Sequence, residues 1–238
     1  MSKLTLLLLA VCISSAFGQF QQISRDMKHV SASVSYLWGV DHSDNIFRCD
    51  RPCNGKWVQV PGKLKQIDVG DDEVWGVNSG DHIYKRPADG SGAWKGIGGR
   101  LKHVTASGNG YIWGVNSGDN IYKCKKPCNG KWIHVGGKLK QIDGGHKYVY
   151  GVNSANQIFS RAVDGSGNWR HIPGSLAHVT ASGSDDIFGV NKAQNIFRCK
   201  KPCIGEWEQM EGKLNQCDAT INGVFGVKSG TFRHVIGA

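Results

Sequence analysis

The stretch "IWGVNSGDNIYKCKKPCNGKW", residues 112–132, appears in three versions along the chain. It contains, in order, an aromatic-Gly-Val strand, a polar turn, a second short strand, two cysteines and a tryptophan. The other versions are "LWGVDHSDNIFRCDRPCNGKW" at 37–57 and "IFGVNKAQNIFRCKKPCIGEW" at 187–207. The chain is therefore built from internal repeats, and the period of such repeats is the first indication of the fold.

An aromatic residue followed by glycine marks six repeats, of which the second, fourth and sixth lack the cysteine pair. Successive marker glycines are 37 or 38 residues apart, and they are Gly39, Gly76, Gly114, Gly151, Gly189 and Gly226. Each complete repeat contains four short strands bounded by Gly, Asp, Asn and Ser. Six such units predict an all-β fold, a six-bladed β-propeller with four-stranded blades. A solenoid is the rival architecture, but it requires polar caps that the sequence does not show.

The repeats predict one propeller domain over residues 19–238. Their approximate bounds are 20–56, 57–93, 94–131, 132–168, 169–206 and 207–238. The last repeat lacks its fourth strand, and a strand-like segment with Phe20 in the place of the repeated Trp precedes the first repeat. We therefore expect the N-terminal strand to complete the last blade, which closes the ring without a free edge.

Residues 1–18 have the pattern of a secretory signal: a lysine, an apolar run and then small residues. Removing them deletes Cys12 and one charge, Lys3, so the net charge falls from +10 to +9. No later stretch is long enough to span a bilayer, so we expect a secreted, extracellular protein without membrane insertion. The basic charge favours anionic envelopes or acidic glycans as partners, and secretion argues against nucleic acid.

Cysteine pairs occur in repeats one, three and five only, so the repeating unit is a pair of blades present three times. In an oxidising compartment we expect the disulfides Cys49–Cys53, Cys124–Cys128 and Cys199–Cys203. Zinc is the alternative, but each pair lacks a neighbouring pair or a suitably spaced histidine. Cys217 is left over in a position that is Ile or Val elsewhere, which predicts a buried free thiol.

The predicted inner strands alternate in a second way. Three histidines alternate with three glutamines, and three hydroxyl residues alternate with three aspartates. The sets are His29, His103 and His178; Gln66, Gln141 and Gln216; Ser31, Thr105 and Thr180; and Asp68, Asp143 and Asp218. The pattern predicts a ring of hydrogen bonds between blades. A three-histidine metal site on the axis is the alternative; nothing in the sequence requires those rings to converge, so no metal site is predicted.

The candidate ligand site is the rim where the polar turns after strand two meet the links between blades. Asn or Asp beside Lys or Arg would bind sugar hydroxyls and acidic groups. The candidates are Asn78, Asp81, Asn116, Asp119, Asn153, Asn191, Lys63, Arg100, Lys138 and Lys213. Turn geometry is the competing explanation for these Asn and Asp residues. Trp57, Trp94, Trp132, Trp169 and Trp207 are interpreted as blade packing rather than sugar stacking.

The aromatic-Gly-Val-Asn strand, the following Ile-Phe/Tyr and the repeated Trp resemble the tectonin-repeat lectins, which include fish-egg lectins and a horseshoe-crab lectin. The resemblance covers residues 19–238. It implies a secreted propeller that binds N-acetylglucosamine-containing glycans, lipopolysaccharide and peptidoglycan in innate defence, often in eggs.

No unique carboxylate pair of the kind that glycosidases need is present, so we expect a protein that is not an enzyme. No cofactor is predicted; calcium at the two DGSG turns, 89–92 and 164–167, is the alternative. A homodimer would add to multivalency. The alternative function is an egg-envelope or protein-interaction propeller without specific sugar binding.

Overall fold

A computed structural model describes residues 21–23, 25–106, 109–183, 186–228 and 230–234. The predicted signal at 1–18, with Cys12, and the aromatic residue Phe20 lie outside the described residues.

The described chain is all-β, and its strands form six antiparallel four-stranded sheets, called blades 1 to 6 below. Blade 1 contains β2 (His29–Ala32), β3 (Tyr36–Val40), β4 (Asn45–Asp50) and β5 (Val58–Lys63). Blade 2 contains β6 (Gln66–Val69), β7 (Glu73–Val77), β8 (His82–Pro87) and β9 (Lys95–Arg100). Blade 3 contains β10 (His103–Thr105), β11 (Tyr111–Val115), β12 (Asn120–Lys125) and β13 (Ile133–Lys138).

The remaining blades follow the same order. Blade 4 contains β14 (Gln141–Gly144), β15 (Tyr148–Val152), β16 (Ile158–Ala162) and β17 (Arg170–Ile172). Blade 5 contains β18 (His178–Ala181), β19 (Ile187–Val190), β20 (Asn195–Cys199) and β21 (Glu208–Lys213). Blade 6 contains β22 (Gln216–Thr220), β23 (Gly223–Lys228), β24 (Gly230–His234) and, from the start of the described chain, β1 (Gln21–Gln22). The predicted β-propeller of four-stranded blades is confirmed.

Ring closure joins the two ends of the described chain. Gln21 and Gln22 pair antiparallel with Arg233 and Phe232, so the N-terminal strand is the fourth strand of blade 6. On the inner strands, the Gln216 side chain accepts a hydrogen bond from the Val30 N–H at 3.1 Å and donates one to the Val30 carbonyl at 2.9 Å. The N-terminal strand therefore completes blade 6, and the inner strand of blade 6 is hydrogen-bonded to the inner strand of blade 1.

The hydrophobic core lies between the blades. Trp113 and Val115 of blade 3, for example, pack with Leu139 and Ile142 of blade 4 in one buried cluster. Phe225 of blade 6 packs in the same way against residues of blade 1. Each sheet is thus covered on both faces by its neighbours. This explains why the second strand of a blade, such as β3, β7 or β11, is buried along almost its whole length.

The aromatic-Gly pair has a packing reason. A Cβ placed on Gly114 would lie 2.5 Å from Leu101 Cδ1 and 2.8 Å from the carbonyl oxygen of His103. The preceding Trp113 points into the neighbouring interface and is fully buried. Glycine inside a strand marks a close approach, and here the leucine before each inner strand, or Met27 in blade 1, occupies the space that a side chain would need.

We predict that Gly114→Ala lowers the free energy of unfolding by about 2 kcal/mol, because overpacking a tight core costs about 1–3 kcal/mol. Gly136→Ala is the matched control, since a Cβ there has nothing within 4 Å. Denaturant unfolding of both variants measures the difference. Equal stability of the two variants would contradict the packing explanation.

The cysteines are arranged as predicted. Cys49–Cys53, Cys124–Cys128 and Cys199–Cys203 are disulfides, each between the third strand of an odd blade and the loop before its fourth strand. Cys217 is a buried free thiol in β22. The described part of the chain contains no helix with the length and hydrophobicity that a bilayer crossing needs.

Candidate functional site

The polar turns between strands two and three are held by their own asparagines. Asn78 Oδ1 accepts hydrogen bonds from the N–H groups of Gly80 and His82 at 3.0 and 2.9 Å. The other three asparagines accept the equivalent bond from the N–H group four residues later: Asn116 from Asn120, Asn153 from Gln157 and Asn191 from Asn195. Such a side chain stabilises the turn it begins. Turn geometry, the competing explanation, therefore accounts for part of this pattern.

The two aspartates proposed for the site lie elsewhere on the same turns. Asp81 and Asp119 occupy left-handed positions, with φ of 64° and 62°. Their carboxylates pair with Lys65 and Lys102, which precede the inner strands of blades 2 and 3. The structure thus brings them together with lysines near the axis that the sequence analysis did not single out.

The four cations proposed for the site fold back onto the turn of their own blade. Lys138 Nζ donates to the Gly118 carbonyl and to Asn120 Oδ1, both at 2.8 Å. Lys63, Arg100 and Lys213 bond in the same way to the carbonyls of Ser43, Gly80 and Ala193. An ammonium group has three donors, so a lysine held by two such bonds keeps one for a ligand.

A cleft of about 260 Å³ lies between blades 3 and 4 on this rim. Two of the predicted residues line it from opposite blades, Lys138 and Asn153. Its other walls are formed by Gly137 and by four apolar side chains: Ile121, Leu139, Phe159 and Trp169. The cleft therefore combines an aromatic surface with one cation and one amide, which are the groups that the sequence analysis sought for a sugar.

Trp169 has two roles in this arrangement. Its indole N–H donates to the Gly136 carbonyl of blade 3 at 2.7 Å, and its ring meets Trp113 edge-on at 6.3 Å. These contacts support the interpretation of the repeated Trp as blade packing. The ring is only partly buried, however, and it also lines the cleft, which sequence reasoning missed because periodicity does not report partial exposure.

The repeat places equivalent residues at the other junctions, but the sets differ. Blades 1 and 2 contribute Lys63 and Asn78 with Trp94, and blades 2 and 3 contribute Arg100 and Asn116 with Trp132. At the junction of blades 4 and 5, Ser175 takes the place of the cation, although Asn191 and Trp207 are present. At the junction of blades 5 and 6, Lys213 is present but Lys228 takes the place of the asparagine. Three junctions therefore have both a cation and an asparagine at the positions that line the described cleft.

A second cavity, a funnel of about 480 Å³, opens on the axis at the opposite rim. Its lining includes Asp68, Asp143 and Asp218. Asp143 accepts hydrogen bonds from the Thr105 hydroxyl and the Ala181 N–H, both at 2.9 Å, and the other two make equivalent bonds. The predicted hydroxyl–aspartate bonds between blades are confirmed.

The pKa values of these three carboxyl groups are raised above the ordinary value of an aspartate. Burial, followed by repulsion from Asp218, raises the pKa of Asp68 to about 7. Burial is also the main cause that raises the pKa of Asp143 and Asp218. At the DGSG turns, by contrast, Asp89 and Asp164 are capped by the N–H groups of Ser91 and Ser166 at 2.8 Å.

The three histidines of the inner strands converge, which the sequence alone does not require. The ring centroids of His29, His103 and His178 are 6.0, 6.1 and 6.2 Å apart. They are not members of the predicted hydrogen-bond ring: the glutamines between them bond to the neighbouring backbone, as Gln66 does to both polar groups of Val104. Burial, followed by nearby positive charge, lowers the pKa of His29 to about 4 and that of His178 to about 3.

We predict that His29→Gln changes how stability depends on pH. Between pH 4 and 6.5 the unfolded state protonates His29 and the folded state does not, so wild-type stability falls relative to the variant as pH decreases. The slope approaches about 1.4 kcal/mol per pH unit. The difference between the two unfolding free energies, measured by urea denaturation of chelator-treated protein, should be constant above about pH 7. A constant difference at all pH values would refute the low pKa.

Four-stranded blades arranged around an axis, with clefts at their junctions, define the class as a β-propeller. The Tectonin domain profile matches residues 11–91 and 89–233. The chain belongs to the tectonin-domain family. None of the curated proteins with which the sequence was compared matches it.

Solved structures agree on the fold at low sequence identity. A Bacteroides thetaiotaomicron protein of unknown function is 11% identical with a TM-score of 0.67, over 92% of this chain and 72% of that chain. Yeast RCC1 (Prp20) bound to Kap60 is 9% identical with a TM-score of 0.60, over 83% and 67%. A structure of a nidogen/laminin complex is 12% identical with a TM-score of 0.60, over 79% and 80%.

Proposed function

We propose that the protein is a secreted, non-catalytic lectin that binds N-acetylglucosamine-type glycans in the clefts between its blades. The observation that carries the proposal is the cleft between blades 3 and 4, where Lys138 and Asn153 face a wall of aromatic and aliphatic side chains. Its volume of about 260 Å³ is below the range of about 300–1,000 Å³ typical of pockets for drug-sized ligands. The cleft suits a single sugar ring.

The lining explains the choice of an N-acetylated sugar. Trp169 and Phe159 offer aromatic surface to the C–H face of the ring, and Ile121 and Leu139 offer apolar contact to an acetamide methyl group. The polar groups retain hydrogen-bonding capacity. Asn153 uses one of its two N–H donors on Gln157, and Lys138 uses two of three, so each has a donor for a hydroxyl or carbonyl oxygen.

Repetition supports binding to surfaces that display many copies of a glycan. Three junctions have the same combination of cation, asparagine and tryptophan, and several weak sites on one rigid body give a high avidity. Bacterial lipopolysaccharide and peptidoglycan are the envelope components we propose as targets in innate defence, and a homodimer would double the number of sites. The net charge of +9 that remains without Lys3 adds salt-sensitive attraction to anionic envelopes.

The same cleft argues against hydrolysis of the bound glycan. A glycosidase places two carboxylates about a sugar bond, and the lining of the described cleft contains none. The alternative is a propeller that binds proteins in an egg envelope or elsewhere. The solved propellers named above include some in complexes with proteins, yeast RCC1 with Kap60 and nidogen with laminin. Competition by free sugar separates the two functions.

We predict that Lys63→Ala/Arg100→Ala/Lys138→Ala lowers the affinity for an N-acetylglucosamine oligosaccharide about tenfold. Each site loses a charge-assisted hydrogen bond, which contributes about 1.5–3 kcal/mol. The control Lys56→Ala/Lys95→Ala/Lys131→Ala removes the same charge from exposed lysines at the other end of the corresponding strands and should bind as the wild type does. Calorimetry in high salt measures both.

Two outcomes would count against the lectin. Equal loss in both triple variants would show that binding depends on net charge alone. Wild-type binding to glycan arrays that disappears in high salt and resists free N-acetylglucosamine would favour the protein-interaction alternative.

A further inference from the structure

His29, His103 and His178 form a closed cluster on the propeller axis that the glycan clefts do not use. They begin the inner strands of blades 1, 3 and 5. All six of their ring nitrogens are buried, and none has a hydrogen-bond partner among the described residues. Buried polar atoms are normally bonded, and leaving one unpaired costs about 1–3 kcal/mol. Six unpaired nitrogens in one place point to a ligand that binds to nitrogen.

The position is set by the alternation of the blades. The glutamines between the histidines bond to the neighbouring strand: Gln141, for example, bonds to both backbone polar groups of Val179. The glutamine side chains are therefore directed at the neighbouring backbone, and the imidazoles face one another. One nitrogen from each ring can be chosen so that the three lie within 4.8 Å of one another.

We propose that the three histidines bind one divalent transition-metal ion, with zinc as the natural occupant. Three neutral imidazoles are a ligand set that zinc uses, with a fourth position left open. Nitrogen ligands favour zinc, copper or nickel over calcium and magnesium.

The imidazoles are already in the form that a metal requires. Burial, and then neighbouring positive charge, keeps the pKa of His29 and His178 at about 4 and 3, and that of His103 well below its ordinary value. At neutral pH no proton has to leave before the metal binds. Metal affinity otherwise decreases when ligands must first be deprotonated.

Two features limit the affinity. The three nitrogens lie within 4.8 Å of one another. At that upper limit a central ion would be about 2.8 Å from each, whereas zinc–histidine bonds are about 2.0–2.1 Å, so each ring would have to move inward by a fraction of an ångström. The nitrogens that do not bind the metal also have no described partner, and a missing outer partner weakens metal binding about 10–100-fold.

The charges around the cluster favour an anion or hydroxide as the fourth ligand. Lys28, Lys102 and Lys140 are the positive groups that act on the histidines. Lys28 and Lys102 are paired with Asp44 and Asp119, whereas Lys140 donates to the neutral amide of Asn156. A net positive field opposes a bare cation and is offset when an anion binds with it.

The first experiment is a titration of the chelator-treated, disulfide-intact protein with Co²⁺, followed by visible absorption. We expect one Co²⁺ per chain with the spectrum of a four-coordinate site, and displacement by Zn²⁺. His103→Gln should lower the affinity at least about tenfold. His134→Gln, which changes an exposed histidine of β13, should not.

Asp143→Asn identifies the competing acidic site. Asp143 belongs to the other axial cluster of possible metal ligands, so loss of Co²⁺ binding in Asp143→Asn but not in His103→Gln would overturn the proposal. So would the absence of any binding, or equal loss in the His103 and His134 variants. Because His103→Gln could also disturb packing, Cu²⁺-loaded wild-type protein is examined by pulsed electron paramagnetic resonance. Three coordinated imidazoles are expected, and fewer than three would refute the site.

Discussion

The architecture depends on side chains that hydrogen-bond to the backbone of the neighbouring inner strand. At each junction from an even to an odd blade, a glutamine bonds to one residue and an aspartate to the residue two positions later, as Gln141 does to Val179 and Asp143 to Ala181. At the other junctions a serine or threonine hydroxyl bonds to the aspartate, as in Thr105 to Asp143. Bonds to the backbone fix the distance and angle between blades whatever side chain the neighbour has, and the clefts and the histidine cluster inherit their geometry from this ring.

The blades and the closure of the ring could be predicted from the sequence, because both depend on periodic patterns along the chain. The positions of the aromatic-Gly pairs gave the four-stranded units, and the incomplete last repeat gave the closure by Gln21 and Gln22. The convergence of His29, His103 and His178 could not be read in this way. The repeat predicts which residue begins each inner strand. The distance between inner strands across the central channel depends on how the six sheets pack face to face, and only the closed ring determines it.

For the candidate site, the repeat pattern predicts which residues lie at one junction, but it does not predict where their side chains point. Lys138 and Asn153 lie one repeat junction apart and do meet in a cleft. Asp81 and Asp119 pair with Lys65 and Lys102, which the sequence analysis did not single out, because these left-handed turn residues direct their side chains toward the lysines before the inner strands. Trp169 was interpreted only as packing, whereas a large ring can be held along one edge and remain available along the other.

The bond between Gln216 and Val30 joins residues 186 positions apart, and it has a consequence for biosynthesis. Blades 2 to 5 each consist of contiguous strands, so each can begin to form soon after its own residues leave the ribosome. Blade 1 is synthesised early, but one face of its inner strand has its partner only when β22 emerges, and β1 must wait for β24. We expect the slowest contact to be the one with the largest loop to close. Until it forms, the nascent chain exposes an open sheet edge and an apolar surface, which are the features that make folding intermediates prone to aggregate.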